Sequence, residues 1–350
     1  MIRWREGVVL AVRREWPGAV DLAVRVGETE VPALAYPALV GRPHEGDAVL
    51  LNAGAYELGL GTGGFALVVA VPGRLPRDPD GPGHLVKARY TPLQATVLGV
   101  DEPASPHHDA LRDADCLDGM PVVVADLHSA LPAVLAGLYA ERPATRVVYV
   151  MTDGGALPLW FSRTVAGLRE AGWLVGSVTA GQAFGGDLEA VTVHSGLLAA
   201  RHVLGAEVAV VAQGPGNLGT GTRWGFSGVA AGEAVNAAAV LGGRPVAALR
   251  VSEADPRERH RGMSHHSRTA YGRVALAPAD VPVPAGLPLD LEALEERHRV
   301  VEVPVDGLEA ALRAVPVPLS TMGRGLDEDL SYFLTAAVAG RHAAHRLAGG

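Results

Sequence analysis

The sequence contains one lysine and one cysteine, and these two shortages exclude several classes of protein. Lys87 is the only lysine, whereas a Walker-type phosphate loop needs a lysine after its glycines and a pyridoxal enzyme needs one for its Schiff base. This scarcity argues against both classes. Cys116 is the only cysteine, so no disulfide can form within the chain, which is usual for proteins of a reducing cytoplasm.

Long apolar runs and an excess of positive charge are also absent. No run reaches the roughly 18 apolar residues of a membrane span, and residues 1–6 lack the apolar core of a signal peptide. We therefore expect no membrane association and a cytoplasmic location. The formal net charge is −8 and the pI is about 5.9, whereas a nucleic-acid partner would require a basic face. We expect no nucleic-acid partner.

The N-terminal region has the alternating pattern of β-strands. Apolar Val20, Leu22, Val24 and Val26 alternate with other residues, and four further short strands are separated by Gly, Pro and Asp. Several short strands in so few residues predict a small β-barrel-like module over residues 1–100. Within that module, residues 72–83 are rich in Pro and Gly and predict a connector.

From Pro121 the pattern changes to alternating strands and helices. Repeated βα units predict a doubly wound, mainly parallel sheet with helices on both faces, and hence a Rossmann-like α/β domain over residues 121–350. A weaker apolar pattern over 273–276 predicts an additional strand. The five clearest apolar strand runs are Val122–Ala125, Arg146–Met151, Leu174–Val178, Val208–Ala212 and Val246–Val251.

Polar and histidine-rich segments follow these strands, and in open α/β sheets ligands bind beyond the carboxyl ends of the strands. The predicted catalytic residues are Asp126, His128, Asp153, His265 and His266. They could transfer protons, with a carboxylate orienting a histidine, or Asp126, His128, Asp153 and His265 could hold a divalent metal. Because His265 and His266 are adjacent, we expect their side chains to diverge. In the structural alternative, the aspartates cap helices and the histidines only form hydrogen bonds within loops.

A glycine-rich loop follows the fourth strand, from Gln213 to Gly228. Its backbone N–H groups and the helix behind it would favour a negatively charged group, although a loop of this kind can also serve only to pack tightly. Part of it matches a dinucleotide pattern, but the acidic residue expected about 20 positions later is missing, so a nucleotide cofactor is the weaker alternative. Two or three arginines of a later segment, drawn from Arg250, Arg257, Arg259, Arg261 and Arg268, could clamp the same anion, although such a run can also be a solvated loop that pairs with its own acidic residues. The predicted ligand-binding residues are Gly214, Gly216, Asn217, Gly219, Thr220, Gly221, Thr222, Arg257 and Arg259.

Four segments together resemble a bacterial family known only as a domain of unknown function, number 3866. They are Met151–Pro158, Ala183–Asp187, Gly214–Thr222 and Asp255–Ser267. The resemblance covers nearly the whole chain. It implies no activity and no residue roles.

The sequence predicts an enzyme that acts on a small anionic metabolite by hydrolysis or group transfer. Two other classes stay open, namely a non-catalytic metabolite sensor or structural subunit, and an oxidoreductase that binds NAD(P). Helices rich in alanine, together with the barrel module, favour a homodimer.

Overall fold

The alternating residues near the N-terminus form a closed five-stranded barrel. In the computed structural model, which describes residues 2–61 and 63–348, the strand order around the barrel is β1-β2-β3-β5-β4. The pairs are antiparallel except β3 with β5. Val20, Leu22 and Val24 are buried in its interior, so the predicted β-barrel is confirmed. The strands are β1 (Trp4–Trp16), β2 (Ala19–Val26), β3 (Thr29–Ala35), β4 (Ala48–Asn52) and β5 (Ala66–Ala70).

The barrel belongs to the first of two compact units. This unit extends to Val97 and also includes Trp160–Ala166, a contribution that no sequence pattern indicated. The indole N–H of Trp16 donates to the carbonyl oxygen of Trp160 (2.7 Å). The unit's remaining elements are the helices α1 (Pro37–Val40) and α2 (Gly54–Glu57) and a separate two-stranded sheet of β6 (Leu85–Lys87) and β7 (Ala95–Val97).

The second unit contains an eight-stranded sheet in which every pair is parallel. The central strands β8, β9 and β12 are buried along their whole length, as expected for apolar strands covered on both faces. The sheet order is β11-β10-β9-β12-β8-β13-β16-β17. The strands of this unit are β8 (Pro121–Ala125), β9 (Val147–Thr152), β10 (Gly176–Thr179), β11 (Leu188–Glu189), β12 (Val208–Gln213), β13 (Arg244–Ala248), β14 (Val251–Ser252), β15 (Gly262–Met263), β16 (Asp280–Pro284) and β17 (Arg299–Val303).

Helices cover both faces of this sheet. One group, α4 with α10 and α11, packs on one face, and α6 with α7 packs on the other, so the predicted α/β class is confirmed. The helices are α3 (His108–Leu111), α4 (Leu131–Glu141), α5 (Arg163–Glu170), α6 (Val193–His202), α7 (Ala230–Val240), α8 (His265–Thr269), α9 (Glu292–Glu295), α10 (Leu308–Arg313) and α11 (Leu330–Ala348).

Two helices of the first group approach each other closely at glycines. A Cβ added to Gly137 of α4 would overlap the carbonyl oxygen of Ala337, and one added to Gly340 of α11 would overlap that of Val134. The contact between α4 and α11 therefore depends on backbone approaching backbone.

One predicted strand is wrong. Residues 270–274 form a π-helical turn, and the strand of this region is β16, which contains Pro282 and Pro284. Proline lacks an N–H and argues against a strand inside a sheet, which explains the error. Across residues 2–61 and 63–348, no helix combines the length and the apolar character that crossing a bilayer requires.

The connections place a crevice between β8 and β12. These neighbouring strands lead into α4 and α7 respectively, which lie on opposite faces of the sheet. The connections that follow the two strands therefore run to opposite faces of the sheet and leave a crevice beyond the carboxyl ends of the strands. Doubly wound folds bind ligands in such a crevice.

Candidate functional site

The residues that end β8 and β12 are tied together across this crevice. The side-chain amide of Gln213 donates to the carbonyl oxygen of Asp126 (2.7 Å) and to Oδ1 of Asn217 (2.9 Å). Asn217 Oδ1 also accepts from the backbone N–H of Gly228 (3.3 Å). A Cβ on Gly228 would lie 2.9 Å from the Asp126 carbonyl oxygen, so only glycine permits this approach. The glycine-rich loop is thereby held against the end of β8.

Three histidines form a cluster beside the crevice. One potential ligand atom from each of His260, His265 and His266 lies within 4.8 Å of the other two. Ser264 organises the cluster, because its Oγ caps α8 by accepting from the His266 N–H (3.2 Å) and bonds to His260 Nδ1 (2.7 Å). The Phe226 ring stacks on His266, with centroids 3.8 Å apart.

The expectation that His265 and His266 diverge is wrong. Their ring centroids are 4.5 Å apart. The two residues open a helix, where successive side chains are about 100° apart in direction, whereas on an extended segment they would point to opposite sides.

A buried carboxylate faces this cluster. Asp126 is 3% exposed, and its Oδ2 lies 3.4 Å from Nδ1 of His266 but has no hydrogen-bond partner among the described residues. Arg250 NH1 lies 3.2 Å from the same nitrogen, and its NH2 lies 3.4 Å from Asp255 Oδ2. His266 Nδ1 accepts from Arg250 when it carries no hydrogen and donates to Asp126 when it carries one.

The environment keeps two of the histidines neutral. Burial, aided by the charges of Arg250 and Arg257, lowers the pKa of His260 to about 3. Burial also lowers the pKa of His265 to about 4, and the charge of Asp126 only partly opposes this shift. At neutral pH both imidazoles are therefore uncharged and each keeps a lone pair.

His265 also lines a cleft of about 580 Å³ that is rich in arginine. Arg268 forms an ion pair with Asp290 (2.8 Å), whereas the other three arginines pair with no acidic side chain within residues 2–61 and 63–348. Four arginines and one acidic residue, Glu296, line the cleft, so its lining is electropositive and suits an anionic molecule. Its lining residues are Gly221, Arg223, Arg259, His265, Arg268, Thr269, Gly272, Arg273, Ala293 and Glu296.

Comparison with known proteins shows the family but not its activity. The model of a family described as a protein of unknown function, DUF3866, matches residues 32–340. The chain belongs to this family. The resemblance seen in its motifs is thus confirmed, and neither curated proteins nor solved structures gave a match.

Two of the predicted catalytic residues of this DUF3866 protein make other contacts. His128 is buried, its Nδ1 lies 3.0 Å from the Tyr149 hydroxyl, and burial lowers its pKa to about 4. Asp153 is exposed, and its Oδ2 accepts from the N–H of Gln182 (2.8 Å), beyond the end of β10. The structure thus brings together Asp126, His265 and His266, and it gives His128 and Asp153 separate partners.

The glycine-rich loop is a folded hairpin and only partly a source of free N–H groups. The N–H of Gly214 donates to the carbonyl oxygen of Thr152 (3.2 Å), and that of Thr220 donates to Gly225 (2.7 Å). The hydroxyl of Thr222 accepts from the Gly225 N–H (3.1 Å). Five of the predicted loop residues remain for an anion, because the N–H groups of Gly216, Asn217, Gly219, Gly221 and Thr222 donate no backbone hydrogen bond within the described chain, and Gly221 lines the cleft.

The two predicted arginines have different roles in the structure. Arg257 binds the buried carboxylate of Asp255 with its Nε (2.9 Å) and NH2 (2.8 Å), while Arg259 lines the cleft. The site residues that sequence reasoning missed are His260, Gln213, Arg223 and Arg273, whereas Arg268 was among the arginines predicted for the clamp. Only His260 had a signal, since it lies in the same histidine-rich segment as His265.

Proposed function

We propose that this protein is an enzyme that acts on a small anionic metabolite by hydrolysis or group transfer. The observation that carries the proposal is the position of His265, which belongs to the histidine cluster and also lines the arginine-rich cleft. A molecule bound by the arginines would therefore contact an imidazole group directly. At about 580 Å³ the cleft falls within the usual range of small-molecule sites.

The arginines of the cleft would bind the anion, and His265 would take part in the reaction. Arg223, Arg259 and Arg273 have planar guanidinium groups without acidic partners in the described residues, and such groups bind phosphate or carboxylate oxygens in a bidentate manner. His265 is neutral at pH 7 and can accept a proton or contact the reacting group. His266 lies beside it, with ring centroids 4.5 Å apart, and Asp126 Oδ2 lies 3.4 Å from Nδ1 of His266.

A ligand screen followed by turnover assays tests this proposal. Phosphorylated and carboxylated metabolites are screened for an upward shift of the unfolding temperature, since a ligand at 100 times its Kd stabilises by about 2.7 kcal/mol. We expect Arg259→Ala to abolish the shift. Arg313→Ala is the matched control, because Arg313 is an exposed arginine of α10 whose partners are Glu309 and Asp327. A shift that is equal in Arg259→Ala and wild type would place the ligand elsewhere.

Turnover separates an enzyme from a binding protein. Each stabilising compound is incubated with wild type and with His265→Ala, and the products are identified. We expect product from wild type and a loss of product, with ligand binding retained, in the variant. Unchanged turnover in His265→Ala would remove the cluster from the mechanism.

The arginines by themselves favour a second candidate, a non-catalytic metabolite sensor. Three guanidinium groups that have no acidic partner in the described part of the chain would account for tight binding without requiring a reaction. A tight ligand with no turnover in wild type would favour this candidate. With either function, we propose a cytoplasmic protein that forms a homodimer.

A further inference from the structure

Two buried polar atoms without partners lie at the histidine cluster. They are Oδ2 of Asp126 and Nε2 of His265, and neither has a hydrogen bond within the described residues. A buried polar group without a partner costs about 1–3 kcal/mol, and more when it is charged. Two such atoms in one site, one of them an acceptor on a carboxylate, indicate a missing electropositive group.

The other two histidines each have one ring nitrogen held by the protein and one left over. Ser264 Oγ bonds to Nδ1 of His260 (2.7 Å), and Nδ1 of His266 lies 3.4 Å from Asp126 Oδ2, a carboxylate oxygen to which it can donate. In each ring this leaves Nε2 for a ligand. An outer-shell bond to one nitrogen that orients the other is the usual arrangement of a metal-binding histidine.

We propose that His260, His265 and His266 bind a divalent transition-metal cation of the zinc class, with the carboxylate of Asp126 beside it. Three imidazoles favour zinc, copper, nickel or iron over magnesium and calcium, which prefer oxygen ligands. The ligand atoms, now within 4.8 Å of one another, would close around an ion that needs metal–nitrogen distances of about 2.0–2.1 Å. This ligand set keeps Asp126 and His265 from the sequence-based set and replaces His128 and Asp153.

The charges near the cluster are compatible with a cation. Arg250 lies 3.2 Å from Nδ1 of His266 and contacts Asp255 (3.4 Å), a carboxylate that it shares with Arg257 and Arg324. Asp126 places a carboxyl oxygen, Oδ2, 3.4 Å from Nδ1 of His266, and this oxygen has no hydrogen-bond partner within the described residues.

The location gives the metal a role at the cleft. Because His265 lines the cleft, the ion would lie next to a bound anion and could polarise it. The catalytic role of the metal rests on the proposed function, whereas metal binding itself is tested alone.

The test is a metal titration of the purified full-length protein after removal of bound metals with a chelator. Zn²⁺ is added alone and followed by calorimetry, and Co²⁺ is added alone as a spectroscopic probe of coordination geometry. We expect one equivalent per chain. In His265→Ala we expect the affinity to fall by more than the roughly 10–100-fold that loss of an outer-shell partner produces.

Two matched variants complete the experiment. His194→Ala changes an exposed histidine at the start of α6 and should bind as wild type does. His128→Asn removes a ligand of the sequence-based set, and it too should retain binding. Circular dichroism of the metal-free variants checks folding. Because His265 is only partly buried, His265→Ala remains decisive if the more buried His260→Ala fails to fold.

The outcomes distinguish this proposal from the proposed function. No metal bound by wild type, or equal binding by His265→Ala, overturns the metal site. Pyrophosphate is then tested on the metal-free protein. A thermal shift with pyrophosphate that is lost in Arg259→Ala would leave the anion site standing without the metal. Metal binding without any bound anion would support the metal site and contradict the proposed function.

Discussion

Replacing Asp255 by asparagine should destabilise the second unit strongly. Asp255 is fully buried and contacts Arg257 (2.8 Å), Arg324 (3.3 Å) and Arg250 (3.4 Å). Burial opposes ionisation of the carboxyl, but hydrogen bonds from Arg257 outweigh this effect and hold its pKa well below the usual range. Removing the charge leaves Arg250, which is 3% exposed, without an acidic partner within 4 Å in the described chain.

The magnitude follows from which arginines can find another partner. Breaking a buried pair by removing one member costs about 3–5 kcal/mol. Arg324 keeps Asp329 (2.9 Å), and Arg257 is 35% exposed and can turn to water. Only Arg250 is left without compensation, so we expect the lower end, about 3 kcal/mol. For a unit of this size that corresponds to a fall of roughly 6–12 °C in unfolding temperature.

Urea unfolding followed by circular dichroism measures the loss of unfolding free energy. Calorimetry measures the fall in unfolding temperature. The matched control is Asp327→Asn, since Asp327 is 77% exposed and also pairs with an arginine, Arg313 (2.6 Å). An exposed pair contributes about 0–1 kcal/mol, so the control should change little. Equal losses in the two variants would refute the argument from burial. Because Arg250 contacts His266, the variant should also weaken Zn²⁺ binding if the proposed metal site exists.

Two further predictions concern packing and pH. Gly137→Ala should destabilise by about 1–3 kcal/mol in urea unfolding, because the new methyl group overlaps the Ala337 carbonyl at the contact of two helices; no change would mean that the helices separate freely. Burial lowers the pKa of His298, whose Nδ1 accepts from the Ala279 N–H (3.1 Å) while Nε2 donates to Tyr271 (2.8 Å). The unfolded state therefore binds the proton more tightly, and the stabilisation from neutral His298 is complete above pH 6.5 and declines as the pH falls below it. His298→Asn keeps a hydrogen-bond acceptor but does not titrate. The unfolding free energy of the variant should therefore fall less steeply than that of wild type between about pH 7 and about pH 5, the range around the ordinary histidine pKa. Identical slopes in the two proteins would contradict the assignment of this pH dependence to His298.

The barrel and the buried strands could be predicted because their patterns are local. In β2 the spacing of Val20, Leu22 and Val24 follows directly from the two-residue repeat of a strand. Strand order is not local, since β12 lies between β8 and β9 although the chain forms it later. The strand with Pro282 was missed because its place beside β13 and β17 depends on tertiary contacts that override local preference.

The candidate site could be predicted only where it follows the carboxyl end of a strand or lies in the histidine-rich segment. Asp126 follows β8 directly, and its position at the crevice was predictable from the rule for parallel sheets. His260 lies near His265 because Ser264 Oγ bonds both to the His260 ring and to the backbone N–H of His266 at the start of α8. No spacing rule describes that contact. Arg223 and Arg273 are 50 positions apart and share the cleft only through the folded loop and α8.

The arginines show why pairing matters more than composition in locating the anion site. Lysine is almost absent, so arginine supplies nearly all positive charge in a chain of net charge −8, and the presence of arginine alone carries no information. The loop after β13 was predicted to clamp an anion, yet Arg257 is fully engaged by Asp255. Arg259 is two residues away, lacks such a partner in the described chain, and lines the cleft. A guanidinium that the protein already neutralises contributes structure, whereas one left without a counter-charge beside a concave surface can bind an external anion. We therefore expect Arg259→Ala to weaken anion binding more than Arg257→Ala does. We expect Arg257→Ala to lower the stability more than Arg259→Ala does.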